Sequence, residues 1–432
     1  MIRVMLVGPA PDAVGGIAAV VGEILSLTPA DGVRVEHMPI TLATRHESIP
    51  ARMLRHVGQL RRLAHRLRHQ DIDLVHLHTC SGASFFRSIA DLLVARSALG
   101  GRRRVILHVH GGRFVEFHDR LGPIARWMVR SALEYADAVV VLSDRWADRI
   151  GARAPRARID VIENACPRPP AAFRLPPSAF RWSWATNPHR PAGDSPACRF
   201  LMISKLDVEK GVIELLDAAV LLRSKAPFTL HVAGPAGSAG DARSLRRCVA
   251  ARGLDGVVEV SGAVVGAEKA GLLASSDVLV LPSHAEGMPI CVLEAMQAGL
   301  AVVTTDVGAL PEMIESGRDG LLIEAGDVTA LAAAMRRLAE DPPLRWALGT
   351  RARHKAATRF GWARMRARLL GLYERLAGEP LGMTAPAGRQ SGSCCASAEG
   401  GTGGTGGAVG AVGAVAAVAR SGPQCCGEPA NR

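Results

Sequence analysis

Ser283-His284-Ala285-Glu286-Gly287-Met288-Pro289-Ile290-Cys291-Val292-Leu293-Glu294-Ala295-Met296-Gln297-Ala298-Gly299 follows residues 277–281, apolar after Asp277, which read as a buried strand. Pro289 suits the first position of a helix, where its missing N–H is not needed, and Gly299 suits the residue just past the end. The stretch therefore predicts a helix that starts at the carboxyl end of a parallel strand, the place where open α/β sheets bind ligands. On that reading Glu286 lies in the loop and Glu294 about one and a half turns into the helix, so the two carboxylates can face one crevice at different depths. Unpaired amides near residues 288–291 would aim the positive helix end at an anion or at hydroxyl groups, with Gly287, Met288, Pro289 and Ile290 lining the approach. An ordinary loop glutamate and a solvated helix glutamate fit the same spacing.

Outward from this segment, strand-like runs alternate with helical-period segments in two stretches. The first holds runs at residues 2–7, 33–38, 73–78, 104–110, 138–142 and 159–162. The second holds runs at 199–204, 228–233, 257–260, 277–281, 300–304 and 320–323. Alternation of this kind predicts an α/β fold with two doubly wound, Rossmann-like domains. The expected boundaries are 1–166 for the first domain and 198–358 for the second. Between them, 167–197 carries Pro-Arg-Pro-Pro, Leu-Pro-Pro and three further X-Pro pairs, which forbid a helix or central strand and predict a linker. An amphipathic helix over 362–376, within a segment 359–377, ends the ordered part. Residues 378–432 are rich in Gly, Ala, Ser and Cys and predict a disordered tail.

The chain has 432 residues, 48% of them hydrophobic and 21% charged, which excludes a disordered polymer for its body. Its formal net charge of +12 permits an acidic partner such as nucleic acid, anionic lipid or a phosphorylated substrate. Nine cysteines occur without CxxC or zinc-ligand spacing. The amino terminus reads as a first strand rather than a signal peptide, and the apolar stretch 406–419 is only Gly, Ala and Val, short of the roughly 20 strongly apolar residues of a spanning helix. A reduced, cytoplasmic protein is expected.

Other segments could also carry chemistry. Ser204-Lys205-Leu206-Asp207-Val208-Glu209-Lys210-Gly211 follows a strand, and Lys205 and Lys210 could converge on a diphosphate; solvated surface lysines are the plainer account. Gly15 and Gly16 follow the first strand and allow close backbone approach to a ligand, or simply make a tight turn; they do not form a dinucleotide GxGxxG. His110 closes the run 105–110, where alternation puts it on one face with His108 but nearer the ligand-binding end. A histidine satisfied within the structure would look the same. Ser143 follows the run 138–142 and suits either a ligand contact or a helix N-cap. With no DxD motif or histidine cluster evident, no metal site is expected.

The segment 283–299 resembles the E-x7-E motif of retaining glycosyltransferases of the GT-B fold, family 4, and the resemblance extends over roughly residues 1–377. It implies that Glu286 binds hydroxyls of a donor sugar and Glu294 the ribose of a nucleotide. Residues 204–211 resemble the family's G-R-L-x-x-x-K-G segment, with Ser204 and Lys205 in place of its glycine and arginine, so a point charge replaces bidentate phosphate recognition at Lys205. The resemblance also implies that the Gly15-Gly16 loop faces the donor phosphates, that His110 lies near the reaction centre and that Ser143 sits at a donor-site position. The expected catalytic set is His110, Lys210 and Glu286, with a nucleotide-diphosphate sugar as co-substrate, no cofactor and no metal. The helix over 362–376 resembles the family's carboxyl-terminal helix that returns to the first domain.

The segments 78–86 and 110–117 look like those of bacterial enzymes of exopolysaccharide or envelope-glycan assembly, implying a lipid-linked glycan acceptor. Met53, Leu54, Val57, Leu60, Leu63, Ala64 and Leu67 recur at helical spacing beside six arginines, and Arg102, Arg103 and Arg104 form another basic cluster. Such a helix could lie on an anionic membrane at the inner face of the plasma membrane, or pack its apolar stripe in the core and solvate its basic face. Two other classes fit parts of the pattern. A nucleotide-sugar epimerase would need no acceptor. A nucleic-acid-binding protein would explain +12, but 4% aromatics offer few stacking platforms and no RNP-type motif or zinc finger occurs, so no nucleic-acid partner is expected.

Overall fold

The computed structural model describes residues 1–40, 48–98, 104–167 and 197–378. Two six-stranded sheets form, and every ladder in them is parallel. The first contains β1 (Ile2–Gly8), β2 (Val33–Pro39), β3 (Leu74–Thr79), β4 (Arg104–Val109), β5 (Ala138–Val141) and β6 (Ile159–Val161), in the order β2-β1-β3-β4-β5-β6. The second contains β7 (Cys198–Ile203), β8 (Phe228–Ala233), β9 (Val258–Ser261), β10 (Val278–Leu281), β11 (Ala301–Thr305) and β12 (Leu321–Ile323), in the order β12-β11-β10-β7-β8-β9.

Helices cover both faces of such sheets, so their central strands read as continuous apolar runs rather than alternating ones. Met5, Leu6 and Val7 of β1, all of β5, and Val278, Leu279 and Val280 of β10 are fully buried. Strand order reverses once in each sheet, between β1 and β3 and between β7 and β10. Loops leaving such neighbours diverge and open a crevice at the carboxyl ends. Those loops carry Gly15 and Gly16 after β1, Lys205 and Lys210 after β7, and Glu286 after β10.

The helix Trp362–Gly378 follows the second sheet in sequence yet packs against β1 and β3 of the first. Met365, Leu369, Leu372, Tyr373 and Leu376 form its buried face. Arg375 binds both carboxylate oxygens of Asp160 at 2.8 Å, and Arg366 pairs with Asp31. The helix Ile49–His69 behaves differently along its length. Leu63 and Leu67 enter the core, whereas Met53, Leu54 and Val57 are 66%, 75% and 42% exposed. Its apolar stripe is therefore a core stripe only in its second half.

Apart from their end residues, the connection at 167–197 and the tail at 378–432 lie outside the described residues, as do Arg102 and Arg103. No described helix is long and apolar enough to cross a membrane.

Candidate active site

The loop after β10 is fixed from beneath by β11: Thr304 Oγ1 donates to Leu281 O at 2.8 Å and Thr305 Oγ1 to Ser283 O at 2.5 Å. Upon this floor Glu286, 7% exposed, accepts from Ser283 Oγ at 2.8 Å and from Lys210 Nζ at 2.7 Å through the same oxygen, Oε1. Lys210 ends the short 3-10 turn Val208–Lys210 after β7 and is followed by Gly211 at φ 73°. A Cβ at 211 would collide with Pro282 O, so glycine is what lets the lysine turn approach the β10 loop.

The helix Ile290–Ala298 starts one residue later than the sequence suggests. Pro289 is its N-cap rather than its first helical residue, and Gly299 ends it at φ 84°. No side chain caps its amino terminus. Glu294 accepts a hydrogen bond from Lys269 Nζ at 2.5 Å. Burial raises the Glu294 carboxyl above its ordinary range, and Lys269 opposes the rise. Burial pushes the Cys291 thiol up to about 12, with Glu286 and then Glu294 adding to the effect, so both carboxylates act on the same short segment. At neutral pH Cys291 is a thiol and no nucleophile.

Loops of the first sheet close on this group. Gly112 lies so near the β10 loop that a Cβ there would be 2.5 Å from the Glu286 carbonyl carbon and 2.8 Å from Gly287 N. A Cβ on Gly287 would in turn lie 2.6 Å from His110 O. Gly16 meets the start of the β10 helix, since a Cβ there would be 3.3 Å from Ile290 Cγ1, while Gly15 is the N-cap of the helix Gly16–Leu25 at φ 148°. Asn164 Nδ2 donates to Met288 O at 2.9 Å and Trp146 Nε1 to Gly287 O at 3.3 Å. Arg113 pairs with Glu209 at 2.7 Å across the two halves.

The structure thus brings Gly16, His110, Lys210, Glu286, Gly287, Met288, Pro289, Ile290 and Glu294 to one region where the loops of both sheets meet. Two expected residues have other partners. Lys205 pairs with Asp207 at 3.0 Å, so the two lysines of that loop are held by different carboxylates. Ser143 caps the helix Asp144–Gly151, its Oγ accepting from Trp146 N at 3.4 Å, which is the capping alternative. Ser283, Lys269, Gly112 and Arg113 were not singled out by the sequence. Ser283 lies three residues before Glu286, a spacing that could have suggested it; helix surface lysines such as Lys269 carry no such signal.

The expectation of no histidine cluster is corrected. Parallel pairing sets His78 beside His108, so His76, His78, His108 and His110 share one face of β3 and β4 and the residue beyond. His76, His78 and His108 offer one ligand atom each within 4.8 Å of one another, an arrangement that could hold a metal ion. Their rings, however, already bond one another: His76 Nε2 meets His108 Nδ1 at 3.2 Å, and His78 Nδ1 meets His110 Nε2 at 2.8 Å. A separate cavity lined by Arg199, Thr229, His231, Glu259 and Ser276 opens at the amino-terminal ends of β7 to β9, the wrong end of the sheet for the chemistry above.

Residues 3–165 match the model of the glycosyl transferase 4-like domain, and residues 197–341 match that of glycosyl transferases group 1. Among curated proteins, D-inositol 3-phosphate glycosyltransferase of Arthrobacter sp. is 36% identical over 183 residues, 41% of this chain and 43% of that protein. Alpha-D-kanosaminyltransferase of Streptomyces kanamyceticus is 25% identical over 283 residues, 63% of this chain and 70% of that protein. The chain spans less than half the length of the first of these. Among solved structures, sucrose-phosphate synthase of Thermosynechococcus elongatus superposes with a TM-score of 0.66 at 18% identity, covering 87% of this chain and 99% of that one. HepE of Anabaena in complex with UDP-glucose superposes at 0.64 and 18% identity, covering 87% and 100%.

Proposed function

Because the chain belongs to the GT4-type glycosyltransferases and has their GT-B fold, we propose that it transfers a sugar from a nucleotide-diphosphate sugar to an acceptor hydroxyl with retention of configuration. The observation that carries this reading is the buried Ser283–Glu286–Lys210 group lying against the His110-Gly111-Gly112 turn of the other half. A fixed carboxylate suits recognition of sugar hydroxyls. The Lys210 ammonium has three N–H groups, of which Glu286 and Ala285 O take two, leaving one for a phosphate oxygen. Glu294 stands further along the helix Ile290–Ala298, bonded by Lys269 of the neighbouring helix Gly266–Ser275, where a nucleotide ribose would lie. UDP and UDP-glucose complexes among the fold's neighbours support a uridine nucleotide as the first donor to try.

In the reaction, the bond from the anomeric carbon to the leaving diphosphate oxygen breaks and a bond to the acceptor oxygen forms on the same face. The acceptor proton passes to the departing phosphate. Lys210 and the uncapped start of the helix Ile290–Ala298 stabilise the charge that develops on that phosphate. None of these steps calls for a metal.

A lipid-linked glycan, as in exopolysaccharide or envelope-glycan assembly, is the proposed acceptor. Exposed Met53, Leu54 and Val57 beside arginines, together with exposed Ile124, Trp127 and Met128 of the helix Pro123–Tyr135, support a peripheral membrane position. Both helices pack on the helix Ala83–Ala98 and so lie on one side of the first sheet. The test is a panel of nucleotide sugars screened for thermal stabilisation of the full chain. Mass spectrometry with polyprenyl-diphosphate glycans and sedimentation with anionic against zwitterionic vesicles then follow. Failure of every nucleotide sugar to stabilise the chain would overturn the donor assignment; equal sedimentation with both vesicle types would overturn the membrane one.

A further inference from the structure

The four histidines form two bonded pairs, and their unbonded atoms fix where the protons sit. His78 Nε2 and His108 Nε2 are buried and have no hydrogen-bond partner among the described residues. A neutral imidazole carries one N–H, and a buried N–H without an acceptor costs more than a bare lone pair without a donor. His78 therefore carries its proton on Nδ1, the atom 2.8 Å from His110 Nε2, and donates it there. His110 Nε2 must then be the acceptor, and the His110 proton sits on Nδ1. The same reasoning puts the His108 proton on Nδ1, donating to His76 Nε2 at 3.2 Å, and the His76 proton on Nδ1, donating to Tyr373 Oη at 2.8 Å.

All four rings stay neutral. Burial lowers His76 and His110 to about 3 and holds His78 and His108 well below the ordinary histidine range. Of the four, only His110 is partly exposed, and it is the one whose backbone oxygen touches Gly287 in the β10 loop. With Nε2 occupied by His78, Nδ1 is its one remaining polar ring atom.

We propose that His78 is a positioning residue that locks His110 as the neutral Nδ1–H tautomer, so that His110 offers a hydrogen-bond donor, rather than an acceptor or a cation, to an oxygen of the bound sugar or its phosphate. Only the sugar rests on the glycosyl-transfer reading; the tautomer does not. Without the His78 N–H, an imidazole would revert to its intrinsic preference for the Nε2–H form.

The experiment is long-range proton–nitrogen correlation on the full chain labelled with 15N-histidine, with His110 assigned through His110→Gln. The wild type should show His110 as Nδ1–H. His78→Asn, whose side-chain amide replaces the Nδ1 donor, should keep it, and His78→Leu should convert it to Nε2–H. In turnover with the stabilising nucleotide sugar, His78→Leu should lose tenfold or more in kcat with a smaller change in KM, and His78→Asn should recover most of the loss. A wild-type His110 found as Nε2–H overturns the proposal without any variant, as does a His78→Leu protein whose His110 tautomer is unchanged. Absence of transfer from every nucleotide sugar would overturn the functional reading alone, and the tautomer would still decide this one.

Discussion

Gly112→Ala is the sharpest test of whether the two halves must meet for turnover. Gly112 needs no left-handed backbone, so the effect of a methyl group there is steric. Its Cβ would stand 2.5 Å from the Glu286 carbonyl carbon and 2.8 Å from both Glu286 Cα and Gly287 N, all of them backbone atoms. Ordinary carbon contacts are about 3.5–4.0 Å, so the loops must part by roughly 1 Å. Overpacking of this kind costs about 1–3 kcal/mol, which converts to a loss of about 5- to 150-fold in kcat/KM if only the closed form reacts. Because the loops come from different halves, they can separate without unfolding either, and the melting temperature should fall by only a few degrees. Gly22→Ala is the control. It lies inside the helix Gly16–Leu25, its Cβ would meet only Pro11 Cβ at 3.6 Å, and alanine there should be neutral or stabilise by about 0.5–1 kcal/mol. The assay is steady-state transfer from the stabilising nucleotide sugar, with thermal melts of both variants. Wild-type kcat/KM in Gly112→Ala would show that these loops need not touch during catalysis, and the reasoning would be wrong.

Lys210→Met leaves the buried Glu286 carboxylate with Ser283 alone, so we expect a clear fall in melting temperature and a loss of about 100-fold or more in turnover. The double variant with Glu286→Gln should recover melting temperature but not activity; recovered activity would remove Lys210 from the reaction. Glu294→Gln should weaken thermal stabilisation by the nucleotide while leaving the unliganded melt nearly unchanged, and an undiminished ligand shift would displace the ribose from this position. Asp91 is buried with Oδ1 unpartnered, and burial raises its carboxyl to about 7 against the pull of Arg87. The folded chain therefore holds that proton more tightly than the unfolded one. Stability is greatest below the unfolded value and declines as pH rises from about 4 to 7, by at most about 1.4 kcal/mol per unit. Asp91→Asn escapes this decline, so its advantage in melting temperature over the wild type should be larger at pH 8 than at pH 5; an equal advantage at both would mean that Asp91 ionises freely.

The strands were legible because parallel strands covered on both faces are mostly apolar, and the runs at 138–142 and 278–281 could hardly be anything else. The motif helix was legible to within one residue, since Gly299 marked its end and Pro289 only bounded its start. Lys205 shows what charge patterning leaves out: two lysines near one loop suggest convergence, and only the structure shows that Asp207, two residues on, pairs with Lys205 while Glu286 holds Lys210. Lys269 was hidden because a lysine on a helix gives no sign of which neighbouring helix it reaches. The histidines were half visible. Period two puts His76 with His78 and His108 with His110, but the array appears only when the register sets His78 beside His108, and no single strand contains that information.

The contacts between the halves differ in kind from one side of the site to the other. At the mouth they are polar and in large part exposed: Arg113 with Glu209, Arg145 with Asp306 at 2.7 Å, and Glu312 accepting from Asp144 N and Arg145 N at 3.1 and 2.9 Å. Ion pairs of this exposure contribute about 0–1 kcal/mol each and weaken with salt. Gly16, Gly112 and Gly287 add close approach there, and the buried side chains of Trp146 and Asn164 bond Gly287 O and Met288 O. At the opposite side Cys166 N donates to Phe360 O at 2.8 Å in the core, and buried Glu163 gathers Arg359 at 2.9 Å and Arg368 at 3.3 Å. The helix that begins at Trp362 then buries five side chains against the first sheet. Opening the mouth breaks only the first set, whose members can re-form in every cycle, whereas parting the far side would expose core. On the proposed reading a nucleotide sugar would enter and the nucleotide leave by motion about the 163–166 and 359–360 segments, with Gly16, Gly112 and Gly287 letting the loops of the two halves meet closely at the mouth.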